Sequence, residues 1–205
     1  MVRHSRIASG AVAKHALLVA PNGLGRTWSF YQPDSPDSVF TEAILQDLKK
    51  RYPIDTDRIL VSGYSWGANM AWRFVCDSGN AGNKISALAL IAVSGTLSQN
   101  EVCKSGPEQV RQVFGLSDTV QRFPMGSDGD TTYPVALWRD VLNCTEAIAQ
   151  GEWNARPFLT FERTSWDCEK GRVVLDVHPG GHFIPHDWIP IQIADILGIA
   201  DAKNQ

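Results

Sequence analysis

Ser65 stands in the stretch Gly63-Tyr64-Ser65-Trp66-Gly67, between an apolar β-branched run and a segment of helical composition. A small hydroxyl held on a tight strand-to-helix turn is presented for attack, and flanking glycines permit such a turn. A serine hydroxyl at its ordinary pKa is a poor nucleophile, so a base must take its proton, and imidazole suits that role near neutral pH. The chain has five histidines. His4 and His15 precede the first strand-like run, which leaves His178, His182 and His186 in the stretch HPGGHFIPH. A spacing of four would make a metal ridge on a helix, but Pro179, Gly180, Gly181 and Pro185 break any helix there, so no metal site is expected. His182 follows two glycines, where a loop can turn its ring toward the serine; His178 and His186 read as loop or structural residues. The imidazole needs a carboxylate to hold its tautomer. Asp118 lies just past the strand-like run 110–115, at the strand end where an open α/β sheet gathers its functional groups. Asp128 and Asp130 read as solvated turn acids, and Asp176 sits inside a strand too close in sequence to its histidine. Ser65 as nucleophile, His182 as base and Asp118 as orienting acid would perform acyl transfer through a covalent intermediate, with no metal or organic cofactor.

The elements that must carry these residues alternate. ALLVA (16–20), stopped by Pro21-Asn22-Gly23, reads as a first buried strand. PDSPDS (33–38) supplies turn and cap chemistry for a helix in which Phe40, Ile44 and Leu48 share one face. ILVSGYS (59–65) reads as a second strand, Ala68 to Cys76 as a helix, and DSGNAGN (77–83) as a loop. Runs 85–93 and 110–115 read as strands, Val135 to Ala149 as a helix, RPFLTFER (156–163) and GRVVLDVHPGG (171–181) as strands, and WIPIQIADILGI (188–199) as a closing amphipathic helix. This order predicts an α/β fold with a mainly parallel, buried sheet.

The 205 residues are 43% apolar, enough for one sizeable core, and a single domain over 1–205 is expected. A net charge of −3, with no basic run beyond Lys49-Lys50-Arg51, provides no footprint for nucleic acid or an anionic membrane. The apolar runs fall far short of the roughly 20 residues a spanning helix needs, and no signal-peptide core follows the basic start. The four cysteines, Cys76, Cys103, Cys144 and Cys168, form no C-x-x-C pair, which argues against zinc and thioredoxin chemistry. From spacing alone, all three disulfide pairings, and four reduced thiols, stay open.

With these motifs in hand, the sequence resembles the α/β-hydrolase esterases that include extracellular poly(3-hydroxybutyrate) depolymerases and feruloyl or acetylxylan esterases. The resemblance runs from about Ile7 to His186 and is carried by LLVAPNGLGRTWSF, YPIDTDRILVSGYSWGANMAWRFVC, FGLSDTVQRFP and GGHFIPHDW. It implies the α/β-hydrolase fold, with a mainly parallel central sheet and flanking helices, and the same Ser65, Asp118 and His182. It implies the pairs Cys144–Cys168 and Cys76–Cys103, and hence a secreted or periplasmic protein whose signal peptide is absent from this chain. The sequence departs from the family before Ala16, where nothing resembles the earlier strand ending in His-Gly that supplies one oxyanion donor. Trp66 can donate its own N–H. The departure leaves an N-terminally truncated domain lacking the first strands, or one that recruits a second donor from the Asn22 to Gly25 loop. In either case the strand 16–20 is expected beside the 59–62 strand with its other edge uncovered, a surface for self-association.

Trp28 and Trp66 flank the expected mouth and are candidates to line an acyl or aromatic cleft; the alternative is that they are core aromatics. Trp188 is expected under the last helix. The resulting expectation is a serine esterase acting on polyester or on feruloyl or acetyl esters of plant polymers. Against it stands a non-catalytic or assembly-dependent remnant of the fold that binds polymer or a partner chain. A peptidase or an interfacial lipase ranks lower, and no apolar lid is legible.

Overall fold

The run Ala89-Leu90-Ile91-Ala92-Val93 is buried along its whole length and sets the layering. A strand turns successive side chains to opposite faces. Leu90 and Ala92 join one apolar cluster, and Ala89, Ile91 and Val93 join another. A strand covered on both faces must be apolar at every position, which is why this run does not alternate. Each Leu or Ile so buried contributes roughly 1.5–3 kcal/mol.

The computed structural model of the chain describes Ile7, residues 12–80 and residues 87–199. In chain order the elements are α1 (Val12–His15), α2 (Pro36–Arg51), β1 (Leu60–Tyr64), α3 (Trp66–Asn80), β2 (Ala89–Val93), β3 (Gln109–Gly115), α4 (Ala136–Val141), β4 (Ile148–Arg156), β5 (Leu159–Cys168), β6 (Gly171–His178) and α5 (Trp188–Leu197). The sheet order is β1-β2-β3-β6-β5-β4. The first four strands in that order run parallel, and β5 and β4 add an antiparallel hairpin. One face packs against α3 through Ala68, Ala71, Trp72 and Val75. The other packs against α5 through Trp188, Ile189 and Ile193. Parallel strands deliver their C-terminal ends to one rim, so the chain leaving β1, β3 and β6 emerges on the same side of the molecule.

Two covalent ties brace this frame. Cys76–Cys103 joins α3 to the segment after β2, and Cys144–Cys168 joins the segment after α4 to the end of β5. A buried polar tie works beside the first: Arg73, 1% exposed, forks onto Glu101 and donates from Nε to the Phe30 carbonyl. Helix α2 begins as its sequence suggests, with the Ser35 hydroxyl capping the Ser38 N–H and Pro36 in the first turn.

The structure corrects several expectations. The run 16–20 is not a strand: it is exposed, with Leu17 and Leu18 at 51% and 43% exposure, and does not pair with β1. An apolar β-branched segment becomes a strand only where a neighbour takes up its N–H and C=O groups, and no described residue does so for this one. Among the described residues β1 is therefore itself an edge of the sheet. The helix expected over 135–149 stops at Val141, after which Asn143 takes a left-handed φ of 52° and Cys144 is bonded to Cys168. Ile148 and Ala149 begin β4, whose helix-favouring Ala, Gln and Glu residues are overridden by pairing with β5. RPFLTFER is not one strand, because Pro157 and Phe158 form the hairpin turn. Helix α3 reaches Asn80, beyond the loop expected from residue 77; residues 81–83 of that loop, and 85–86 of the third strand, lie outside the described residues.

The Cys144–Cys168 bridge spans 24 residues of sequence. Loop-closure entropy assigns such a cross-link about 3 kcal/mol. Urea unfolding of the Cys144→Ser, Cys168→Ser double variant is expected to show that loss relative to the parent; an unchanged midpoint and slope would contradict it.

Candidate active site

The turn between β1 and α3 holds Ser65 in a left-handed conformation, φ 56°, a region that costs a residue with a side chain on the order of 1 kcal/mol or more. Three backbone bonds hold it there. The Ser65 N–H donates to the Val93 carbonyl at 2.9 Å, and the Ser65 carbonyl accepts from the Ala68 and Asn69 N–H groups at 2.8 and 3.1 Å. The two flanking glycines differ. A Cβ on Gly63 would lie 2.0 Å from the Gly67 carbonyl oxygen, so no other residue fits; a Cβ on Gly67 would meet nothing within 4 Å. Of the two flanking glycines expected to permit the turn, only Gly63 is sterically required.

On the same rim, the loops after β3 and β6 continue the pairing of their strands. The Leu116 N–H donates to the His178 carbonyl at 2.8 Å, the Ser117 N–H to the Gly180 carbonyl at 3.1 Å, and the Ser117 hydroxyl to the Pro179 carbonyl. Gly115 makes the approach possible, since a Cβ there would sit 2.3 Å from the Gly180 oxygen. This zipper brings Asp118 and His182 together. His182 Nδ1 lies 2.7 Å from Asp118 Oδ2, and His182 Nε2 lies 3.0 Å from Ser65 Oγ. The other Asp118 oxygen accepts from the Val120 and Gln121 N–H groups, each at 2.9 Å, which fixes the carboxylate's rotation. A carboxylate only accepts, so Nδ1 carries the hydrogen and Nε2 is left with the lone pair facing the serine hydroxyl.

The remaining residues weighed in the sequence are placed elsewhere. His178 is buried beneath the rim, its Nδ1 accepting from the Gly180 N–H at 3.1 Å and its ring packed by Phe183 and Phe161. Burial lowers its pKa, with the Asp118 charge pulling in the opposite direction. His186 and His15 are exposed. Asp128 and Asp130 lie in an exposed turn where Asp130 binds Thr132. Asp176, fully buried, is clasped by Arg163, Trp153 and Trp188. His4 lies outside the described residues. No group of three or more His, Cys, Asp or Glu among the described residues is arranged to hold a metal.

Trp66 is 49% exposed next to Ser65, with Phe30 edge-on to its ring at 6.2 Å. It is the first residue of α3, whose opening N–H groups have no partner within the helix and favour negative charge. Trp28 is half-buried and packs on the α3-side core. The loop before it is held by Asp37, a fully buried carboxylate that accepts from the Leu24 N–H at 2.9 Å and the Ser29 N–H at 2.7 Å. Within the Asn22 to Gly25 loop, the Leu24 N–H is thereby committed to Asp37 and not available to a substrate. Sequence reasoning passed over Asp37 and Tyr64. Asp37 offers no signal beyond its place in the first turn of a capped helix, whereas Tyr64 lies inside the Gly63 to Gly67 stretch, where the alternation of β1 could have marked it.

The comparisons with known proteins agree with this architecture. No family model matches the sequence. Over 174 residues, 83% of this chain and 54% of the relative, the sequence is 32% identical to feruloyl esterase D of Neurospora crassa. Over 113 residues, 54% of this chain and 38% of the relative, it is 26% identical to a probable feruloyl esterase C of Aspergillus niger. The chain thus spans about half, or less, of the length of these relatives. Among solved structures, an acetyl xylan esterase from Aspergillus awamori superposes with a TM-score of 0.54 at 14% identity, over 80% of this chain and 68% of that one. That likeness is one of fold, and the fold is that of an α/β-hydrolase.

Gly63→Ala is expected to destabilise the protein by several kcal/mol, because the clash is with backbone. Gly67→Ala should leave stability equal or slightly higher, since alanine gains up to about 1 kcal/mol over glycine inside a helix. Equal melting temperatures for the two variants would contradict this account. For His178, a folded-state pKa below its ordinary value near 6.5 means the unfolded chain binds more protons, so stability falls as pH drops below that value. His178→Asn keeps an acceptor at the Nδ1 position without titrating. Its melting temperature is expected to fall less than the parent's between pH 7 and pH 5; parallel declines would contradict the assignment.

Proposed function

Because this chain is a relative of the fungal feruloyl esterases, we propose that it is a serine esterase that cleaves carboxylic esters through an acyl-enzyme. The observation that supports the reading is the hydrogen-bonded series from Ser65 Oγ through the His182 ring to Asp118. Ser65 Oγ attacks the ester carbonyl while His182 Nε2 takes its proton. Asp118 holds the ring and balances the imidazolium. The tetrahedral oxyanion meets the Trp66 N–H at the start of α3, a donor whose loss would cost on the order of 10² to 10³ in rate. Collapse breaks the C–O bond to the leaving alcohol, which receives the proton from His182. Water then attacks the acyl-serine with His182 again as base, releasing the acid and restoring Ser65. The steps require no metal or organic cofactor.

The relatives' names favour a feruloyl ester as substrate, and exposed Trp66 beside Phe30 suits an aromatic acyl group. Acetyl esters of plant polymer and aliphatic polyester are the other substrates to compare. Two disulfides fit a protein that folds in an oxidising compartment, as a secreted or periplasmic esterase does.

One observation favours a second reading, in which activity depends on assembly. Among the described residues β1 has a single neighbour, and Leu17, Leu18 and Val19 are exposed. A second copy pairing along that edge would cover it.

Hydrolysis of methyl ferulate and a nitrophenyl acetate by the parent and by Ser65→Ala separates these readings. The esterase reading expects turnover that falls by at least about 10³-fold in Ser65→Ala, with specific activity independent of protein concentration. Specific activity that climbs with concentration would support assembly, and equal rates in parent and variant would overturn both.

A further inference from the structure

Tyr64 is the last residue of β1 and immediately precedes Ser65. Gly63 faces the turn into α3, and strand alternation sends the Tyr64 side chain to the opposite face. There it packs against the α5-side core, which Ile184 also joins from the loop after His182. Its ring centroid is 4.8 Å from that of His182, with planes 32° apart, and its hydroxyl donates to the His182 main-chain carbonyl at 3.2 Å.

The hydrogen-bonded zipper between the Asp118 and His182 loops reaches Gly180 and stops. His182 lies two residues farther along, past a pair of glycines whose backbone is intrinsically permissive. Its side chain is held by Asp118 and Ser65, but the Ser65 contact must be broken and remade as the proton moves, whereas the bond from Tyr64 to the main chain is untouched by the reaction. Burial, and secondarily the Asp118 charge, raise the Tyr64 pKa, so the phenol keeps its hydrogen at neutral pH.

We propose that Tyr64 is a positioning residue for the base: its hydroxyl tethers the His182 backbone and its ring supports the imidazole, so that Nε2 stays aimed at Ser65 Oγ. The inference rests on the esterase reading above. A tether of this kind controls the fraction of molecules with the ring in line and not the affinity for ester, so its removal acts on kcat and leaves KM alone. Because the aromatic face also lies against the ring that becomes cationic, removing it should cost more than removing the hydroxyl.

The test compares the parent with Tyr64→Phe and Tyr64→Leu. Tyr64→Phe should lower kcat about tenfold, the worth of one hydrogen bond, with KM within about twofold and the melting temperature nearly unchanged. Tyr64→Leu should lower kcat further. A second readout needs no turnover: nitrogen NMR of the His182 ring should show one tautomer, hydrogen on Nδ1, in the parent, and averaged ring signals in Tyr64→Phe. Parental kcat in Tyr64→Phe, a loss confined to KM, or ring signals identical to the parent's would overturn the proposal. If the parent shows no Ser65-dependent turnover, the esterase reading fails by itself, and the ring signals still decide whether Tyr64 positions His182.

Discussion

The pairing of β3 with β6 does not end where the strands do, and the arrangement on the rim depends on that continuation. The Leu116 and Ser117 N–H groups carry the ladder two steps beyond Gly115, onto the His178 and Gly180 carbonyls. Asp118 and His182, 64 residues apart, are thereby delivered to hydrogen-bonding distance by backbone geometry before either side chain contributes. Gly115 is the residue that admits the approach. A side chain there would push apart two loops whose separation decides whether a 2.7 Å contact exists at all.

The Ser65 side of the rim obeys the same logic one strand at a time. The Ser65 N–H is held by the end of β2, and the Ser94 N–H by the Val113 carbonyl of β3. Both serines follow a parallel strand, and both have positive φ, 56° and 47°. Ser94 is nevertheless fully buried, while Ser65 opens onto the rim opposite His182. Strain at a strand end therefore does not distinguish Ser65 from Ser94; access and a facing imidazole do. The ties behind Ser65 are stiff: α3 is anchored by Cys76–Cys103 and by Arg73, and Arg73 also fastens Phe30, which flanks Trp66. Rigidity of this kind keeps reacting groups in register without reorganisation, which is where much of the catalytic advantage of a preorganised site originates.

What the sequence makes legible follows from how local each signal is. Runs buried on both faces, such as 89–93, read correctly because composition alone marks them. The three residues of the candidate site are legible as candidates because the Ser65 stretch, the strand-end position of Asp118 and the glycine pair before His182 are each short-range patterns; what no short-range pattern carries is the distance between them. Ala16 to Ala20 misled for the converse reason, since its composition is that of a buried strand while strand formation depends on a partner elsewhere. Ile148 and Ala149 misled because the Cys144–Cys168 bridge and the pairing with β5, both long-range, override a helical composition. Strand alternation could mark the face that Tyr64 takes, but the main-chain contacts that Asp37 and Tyr64 make with distant loops are not announced by side-chain type.

The central claim is that the Ser65 hydroxyl alone is activated, and that His182 activates it. Brief exposure of the folded protein to a fluorophosphonate, followed by peptide mass mapping, tests this most directly. The account predicts an adduct on Ser65 and none on Ser94, forming far more slowly in His182→Ala. An adduct on another serine with Ser65 unmodified, or labelling of Ser65 at the same rate without His182, would contradict it.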